Sequence, residues 1–221
     1  MEKALIIGSS GGIGAAMVAA LTAQGVETIA ISRSTHGLDV SDESSVQRIL
    51  GGVEGTFDLI FVATGALRID GSVPEKSLNA LSAKSLADQF AVNAIGPALV
   101  LKHVRHLIPR DRQSVFAVLS ARVGSIGDNR LGGWYSYRAS KAALNQLIHG
   151  AAIELSRKYK HLTCVCLHPG TVATKFTQGY QDTHPTVLPQ AAAERLLEVV
   201  SKLTPADSGR FLDYSGKDIP W

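Results

Sequence analysis

Tyr137 and Lys141 stand four residues apart in Trp134-Tyr135-Ser136-Tyr137-Arg138-Ala139-Ser140-Lys141-Ala142-Ala143-Leu144. The stretch reads as a helix, because Ala139, Ala142, Ala143, Leu144 and Leu147 are good helix formers with apolar residues at helical spacing. Residues four apart project from one face, a turn from each other. An ammonium beside a phenol stabilises the phenolate. The spacing therefore predicts a tyrosine pulled down from its ordinary pKa of ~10 and able to give or take a proton. Taken alone, the pair reads first as an aromatic and a lysine on a solvated helix face, since that spacing is common, and the rest of the chain has to decide. Tyr135 has Ala139 four residues on and so no ammonium partner; it is expected to line a pocket with Trp134.

Three further groups suggest what that proton would serve. Gly8-Ser9-Ser10-Gly11-Gly12-Ile13-Gly14 follows directly on the apolar run Ala4 to Ile7 and precedes an Ala-rich helical segment from Ala15 to about Gln24. Glycines let backbone approach a pyrophosphate, and a helix N-terminus offers free N–H groups and a positive dipole. Between the strand and helix of a βαβ unit, such a loop reads as a dinucleotide site. A mononucleotide P-loop would need a lysine after the glycines, and none follows. Just past a second strand, Val26 to Ile31, lies Ser32-Arg33-Ser34, with no acid. An acid there would bind a ribose 2′-hydroxyl and repel a 2′-phosphate, whereas a guanidinium suits the phosphate. NADP is therefore expected over NAD. Lastly, Pro97 lies four residues after Asn93 in a helical pattern. It has no N–H and crowds the Asn93 carbonyl, which is left free to hold a water. A plain proline kink beside Gly96 is the alternative.

The elements that must position these groups alternate along the chain. After Ile31 come a possible short strand near Asp39-Val40 and a helix with Ser41 as N-cap reaching about Leu50. Phe57 to Ala63 is a strand, and a long helical pattern follows from about Leu78 to Ile108. Val115 to Leu119 is the next strand, then a glycine-rich loop from Ser120 to Gly133. The central helix runs to about Tyr159, with a strand at Leu162 to Leu167, a helix at Gln190 to Leu203 and a last strand at Arg210 to Tyr214. The pattern implies one domain over residues 1–221: an α/β, Rossmann-type doubly wound parallel sheet of about seven strands with helices on both faces.

Composition narrows the class. The 221 residues are 45% hydrophobic with 21 glycines, which suits a packed α/β domain. A net charge of +3, not concentrated anywhere, gives no footprint for nucleic acid. Cys164 and Cys166 are expected side by side on one strand face, too few for a metal cage and poorly placed for a disulfide. His103 and His106 make no ligand pattern, and only His168, beside Pro169, falls near the expected pocket. With no signal peptide and no spanning apolar run, a soluble, cytoplasmic protein with no membrane partner is expected.

Gly8-x-x-x-Gly12-x-Gly14, Asn93, Tyr137-x-x-x-Lys141 and Pro169-Gly170-x-Val172-x-Thr174 together resemble the short-chain dehydrogenases/reductases, in order and spacing and over essentially the whole chain. The Gly124-Ser125-Ile126 loop, the Gly133 to Tyr137 approach and the Phe211 to Gly216 ending are most similar to the compact carbonyl reductases related to sniffer and C-factor. The resemblance implies hydride transfer between NADPH and a small carbonyl or alcohol. Tyr137 would be the general acid/base, with Lys141 lowering its pKa and binding the nicotinamide ribose, and Asn93 holding a relay water. It implies that Asp39 and Val40 flank the adenine and that Val172 and Thr174 hold the carboxamide beside Pro169 and Gly170. Ala63-Thr64-Gly65, standing where the family has Asn-Asn-Ala-Gly, would keep only a backbone role. The loop residues Gly8, Ser9, Ser10, Gly12, Ile13 and Gly14 and the side chain of Arg33 complete the implied cofactor site. Registering Gly124 on the family's loop glycine puts Ala121 where the family has its substrate serine. Ser120 is put forward for that hydroxyl, with Ser125 the other candidate. Without any hydroxyl, one oxyanion donor is missing, a loss of roughly 10²-fold in rate. That gap motivates an alternative: an NADP-binding sensor or signalling protein with little turnover. The segment Lys175 to Pro189, short and polar, would cover the pocket and suit small or extended substrates. A homodimer or homotetramer packed through the helices bearing Asn93 and Tyr137 is also implied.

Overall fold

Four of the five residues of β1 (Lys3–Ile7) are buried, as expected of an apolar strand covered on both faces. In the computed structural model, which describes residues 1–178 and 185–221, it is paired in parallel on both sides. Its neighbours are β2 (Glu27–Ile31) and β3 (Leu59–Val62), and β4 (Ser114–Leu119), β5 (Leu162–His168) and β6 (Phe211–Asp213) extend the sheet beyond β3. The order is β2-β1-β3-β4-β5-β6, all parallel. Strand order reverses between β1 and β3, and open α/β sheets bind ligands in the crevice outside the carboxyl ends of the strands at such a point.

The helices are α1 (Gly12–Ala23), α2 (Arg33–His36), α3 (Glu43–Gly51), α4 (Ala83–Phe90), α5 (Gly96–Val104), α6 (Tyr135–Leu155) and α7 (Pro189–Lys202). One sheet face packs Met17 and Leu21 of α1 with Leu196 and Val200 of α7. The other packs Val46 and Leu50 of α3, Val100 and Val104 of α5, and Leu144, Ile148 and Ala152 of α6. Cys164 and Cys166 are free and buried in this second layer, on one face of β5. Among the described residues no helix is long and apolar enough to cross a membrane.

The sheet has six strands where about seven were expected, because no strand forms near Asp39-Val40. Side chains there satisfy the backbone instead. Asp39 Oδ1 accepts from Ser41 N and Oγ at 2.9 and 2.6 Å, while Ser45 Oγ accepts from Asp39 N and donates to the Gly37 carbonyl. Leu38 and Val40 are still buried in the core. The α3 cap is Asp42, which accepts from Ser44 N at 3.0 Å, rather than Ser41. The expected long helix from Leu78 is interrupted: α4 starts after its cap Ser82, and Ala91–Ile95 is a π-turn before α5.

Candidate active site

Helix α6 brings Tyr137 and Lys141 to the carboxyl edge of the sheet, both buried. The Tyr137 ring lies between Trp134, edge-on at 6.2 Å, and Phe176, tilted at 6.1 Å. Lys141 Nζ donates to the carbonyl of Leu119, the last residue of β4, at 2.9 Å. Removal from water disfavours both charged forms. Burial pushes the Tyr137 phenol above its ordinary range and pulls the Lys141 ammonium down to about 8. This corrects the lowered tyrosine pKa expected from spacing. The ammonium is turned onto a backbone carbonyl, and desolvation alone sets the direction of the tyrosine's shift. Tyr137 is consequently a protonated phenol at neutral pH, in form an acid.

Asn93 is fully buried in the π-turn that precedes Pro97. A π-turn there follows from the missing proline N–H. The side chain of Asn93 has a task that its sequence position did not reveal. Its Oδ1 accepts from Ala66 N, and its Nδ2 donates to the Ala66 carbonyl, each at 2.8 Å. Gln89, one turn earlier on α4, also accepts from Nδ2 and donates to the Leu67 carbonyl. These four bonds clamp the loop after β3. Gly65 of that loop is where the π-turn bearing Asn93 meets α6: a Cβ placed on it would lie 3.1 Å from Asn93 Oδ1 and 3.6 Å from Lys141 Nζ.

The glycine loop closes the opposite side. Gly8, at φ 88°, is so close to the next loop that a Cβ would lie 2.9 Å from the Ala63 carbonyl carbon and 3.0 Å from Thr64 N. A Cβ on Gly12 would strike Thr174 Cγ2 at 2.5 Å, and one on Gly14 the Gly8 carbonyl oxygen at 2.2 Å. Gly8 N and Ser9 N both donate to the Ile31 carbonyl at the end of β2. Ser10 and Gly12 are exposed, and Ile13, in the first turn of α1, packs against the core. Helix α1 has Gly11 as N-cap with no side-chain cap bond and no acid in its first turn, which is what an anion-binding N-terminus requires. Thr64 Oγ1 is buried without a protein partner in the same cleft. Val172 is buried and bridged to Val187, and Gly170 has φ 79° and lies under the Tyr214 ring. Arg33, exposed, opens α2 behind the buried cap Ser32, whose Oγ lies 3.1 Å from Ser34 Oγ. The Asp39 carboxylate is held below its usual range mainly by the Ser41 hydroxyl, so it is occupied within its own turn. Uncapped helix, glycine cradle, unpartnered hydroxyl and cationic β2 end together fit a phosphate-bearing dinucleotide.

Residues 2–185 match the family described as short chain dehydrogenase. The chain belongs to this family. Its class of activity is therefore oxidoreductase. It is 30% identical over 238 aligned residues to 1-hydroxy-2-glutathionyl-2-methyl-3-butene dehydrogenase of Rhodococcus sp. (strain AD45), covering 100% of each. It is 37% identical over 140 residues to the C-signal of Myxococcus xanthus, covering 62% of this chain and 78% of that one. In fold it is similar to NADPH-bound carbonyl reductase from chicken fatty liver, with TM-score 0.84, 24% identity and coverage of 100% and 99%. It is likewise similar to the carbonyl reductase Sniffer of D. melanogaster, with TM-score 0.82, 20% identity and full coverage of both.

Within this short-chain dehydrogenase frame, the two expected serines are engaged elsewhere. Ser120 is buried and its Oγ donates to Asn145 Oδ1 at 2.6 Å. Ser125 Oγ donates to the Pro220 carbonyl and accepts from Asp128 N at 3.0 Å, tying its loop to the C-terminal segment. Both hydroxyls therefore already have protein acceptors. His168, at the end of β5, has a buried Nδ1 without a partner, and burial, aided by Arg122, pulls it down to about 4. Sequence reasoning passed over Gln89, Phe176, Asn145 and Glu75. Gln89 stands one helical turn before Asn93 and Asn145 one turn after Lys141, spacings that could have found them. Phe176 falls in the covering segment without further signal; residues 179–184 of that segment lie outside the described residues.

Proposed function

We propose that this chain is a single-domain NADP-dependent reductase acting between NADPH and a small carbonyl or alcohol. The observation that carries the reading is the meeting of Asn93 and Lys141 over Gly65, one turn from the protonated Tyr137 on α6. The cofactor, when bound, supplies the hydride. Gly8, Gly12, Gly14 and the α1 N-terminus would hold its pyrophosphate, and Arg33 with Ser34 its 2′-phosphate. Val40, Thr64 and Gly65 would line its nucleoside side, and Pro169, Gly170, Val172 and Thr174 its nicotinamide end. Tyr137 gives its proton to the carbonyl oxygen as the carbon is reduced. The Lys141 ammonium one turn away then stabilises the phenolate, and the Asn93 carbonyl anchors the water through which the proton is restored. In oxidation the same groups run in reverse. Partner and compartment follow the same reading: a cytoplasmic homo-oligomer joined through α5 and α6, where Leu147 and Ile153 are exposed, with no nucleic-acid partner.

A fluorescence titration with NADPH and NADH, followed by NADPH oxidation across aldehydes, ketones and quinones, tests the reading. Arg33 in an acid-free Ser32-Arg33-Ser34 turn predicts NADPH binding about tenfold tighter or more, and turnover of at least one carbonyl class. Affinity for neither dinucleotide would refute it. Because Ser120 and Ser125 are both engaged and Ala121 has no hydroxyl, a second reading stands beside it: NADP binding with little turnover. Binding without oxidation of any substrate would select that one.

A further inference from the structure

Helix α6 begins with Trp134 as its N-cap, a side chain with no oxygen to accept from the first turn, and it makes no cap bond. Trp134 has φ 50° and follows Gly132 and Gly133 at 63° and 64°, so three successive residues are left-handed. First-turn N–H groups lack intrahelical partners and need an acceptor. The acceptor comes from a distant loop. Glu75, 4% exposed, lies after β3. Its Oε2 accepts from Ser136 N at 3.3 Å, and its Oε1 accepts from Ser136 Oγ at 2.5 Å. Its own carbonyl accepts from Trp134 N at 2.5 Å. A buried carboxylate is favoured at this end of a helix, where the dipole is positive. Both residues it grips bear on Tyr137: Ser136 precedes it in the chain, and Trp134 stacks edge-on against its ring. Neither the glycine loop nor the Asn93 clamp involves Glu75.

We infer that Glu75 is a positioning residue for the reaction: its carboxylate caps α6 from the loop after β3 and thereby fixes the seat of the Tyr137 hydroxyl. The inference rests on the proposed role of Tyr137 as proton donor. Glu75 touches no reacting atom and acts through Ser136 and Trp134. Without it the first turn frays, and a displacement of the hydroxyl by about 1 Å is enough to cost a large factor in rate.

The test compares wild type, Glu75→Ala, Glu75→Gln and Ser136→Ala by steady-state kinetics, NADPH titration and hydrogen exchange over residues 135–141. Glu75→Ala is expected to lower kcat about 20-fold or more, with KM and the NADPH Kd within about threefold, and to speed first-turn exchange about tenfold. Glu75→Gln keeps an acceptor for Ser136 N and restores kcat to within about fivefold of wild type. An unchanged kcat in Glu75→Ala, or a loss that merely tracks the folded fraction, overturns the inference. Should Glu75→Ala not fold, Ser136→Ala decides. A kcat lower by about three- to tenfold at unchanged NADPH affinity supports it, and an unchanged kcat overturns it. A wild type that oxidises no NADPH would mean that the proposed function has failed. The capping claim is then decided by exchange alone, which must be faster in Glu75→Ala, or in Ser136→Ala should Glu75→Ala not fold, than in wild type and overturns the claim if it is not.

Discussion

His168 shows how a single partly buried side chain ties stability to pH. Its imidazole is neutral in the folded chain, pulled from 6.5 to about 4 by burial and by Arg122, against an opposing pull from Asp213. The unfolded chain takes up a proton on this residue below its ordinary pKa while the folded chain does not. The stability it contributes is complete above pH 6.5 and is lost as pH falls toward 4. Because the ring is partly accessible, a discounted estimate is roughly 1–2 kcal/mol between pH 7 and pH 5. Urea unfolding at the two pH values should show this difference in wild type, and a clearly smaller one in His168→Asn. An equal pH dependence in the two would contradict the burial argument. At this scale the sequence spoke through types and spacings: Tyr137 with Lys141, Asn93 before Pro97, and Arg33 with no acid beside it. Its misreading was electrostatic. A four-residue spacing does not disclose how dry the site is, and dryness reverses the direction of the Tyr137 shift.

The elements hold the site through close backbone approaches, and at α6 these can be separated from ordinary glycine effects. A Cβ on Gly124 would lie 2.8 Å from the Lys141 carbonyl carbon and Cβ, so the loop after β4 would have to move off α6. Gly124→Ala should destabilise by about 1–3 kcal/mol and lower kcat, since the backbone that must shift bears Lys141. Gly150, on the same helix with nothing within 4 Å of a Cβ, is the opposite case. Gly150→Ala should stabilise by about 0.5–1 kcal/mol. Thermal unfolding of the pair checks both signs, and equal shifts would mean that the approach at Gly124 is not tight. Most elements were legible from apolar runs and caps. The break at Ala91–Ile95 was not, because a helical pattern continues through a proline whose effect is spread over the preceding turn. The cap of α6 was equally hidden, since Glu75 and Ser136 are 61 residues apart.

At the scale of the whole molecule, the sheet order places the glycine loop after β1 against the loop after β3, and α6 against the end of β4. Four segments far apart in the chain thereby share one cleft beside the point where strand order reverses. That convergence was implied by the alternation of strands and helices, whereas the number of strands depended on a local turn at Asp39 that side chains completed. In the proposed function one step is central: the Tyr137 hydroxyl delivers the proton that accompanies hydride transfer in this cleft. Single-turnover NADPH oxidation by wild type and Tyr137→Phe, with NADPH affinity measured on both, tests it most directly. The account predicts a rate lower by about 10²–10⁴-fold at NADPH affinity within about threefold of wild type. A Tyr137→Phe variant that oxidises NADPH at the wild-type rate would contradict it.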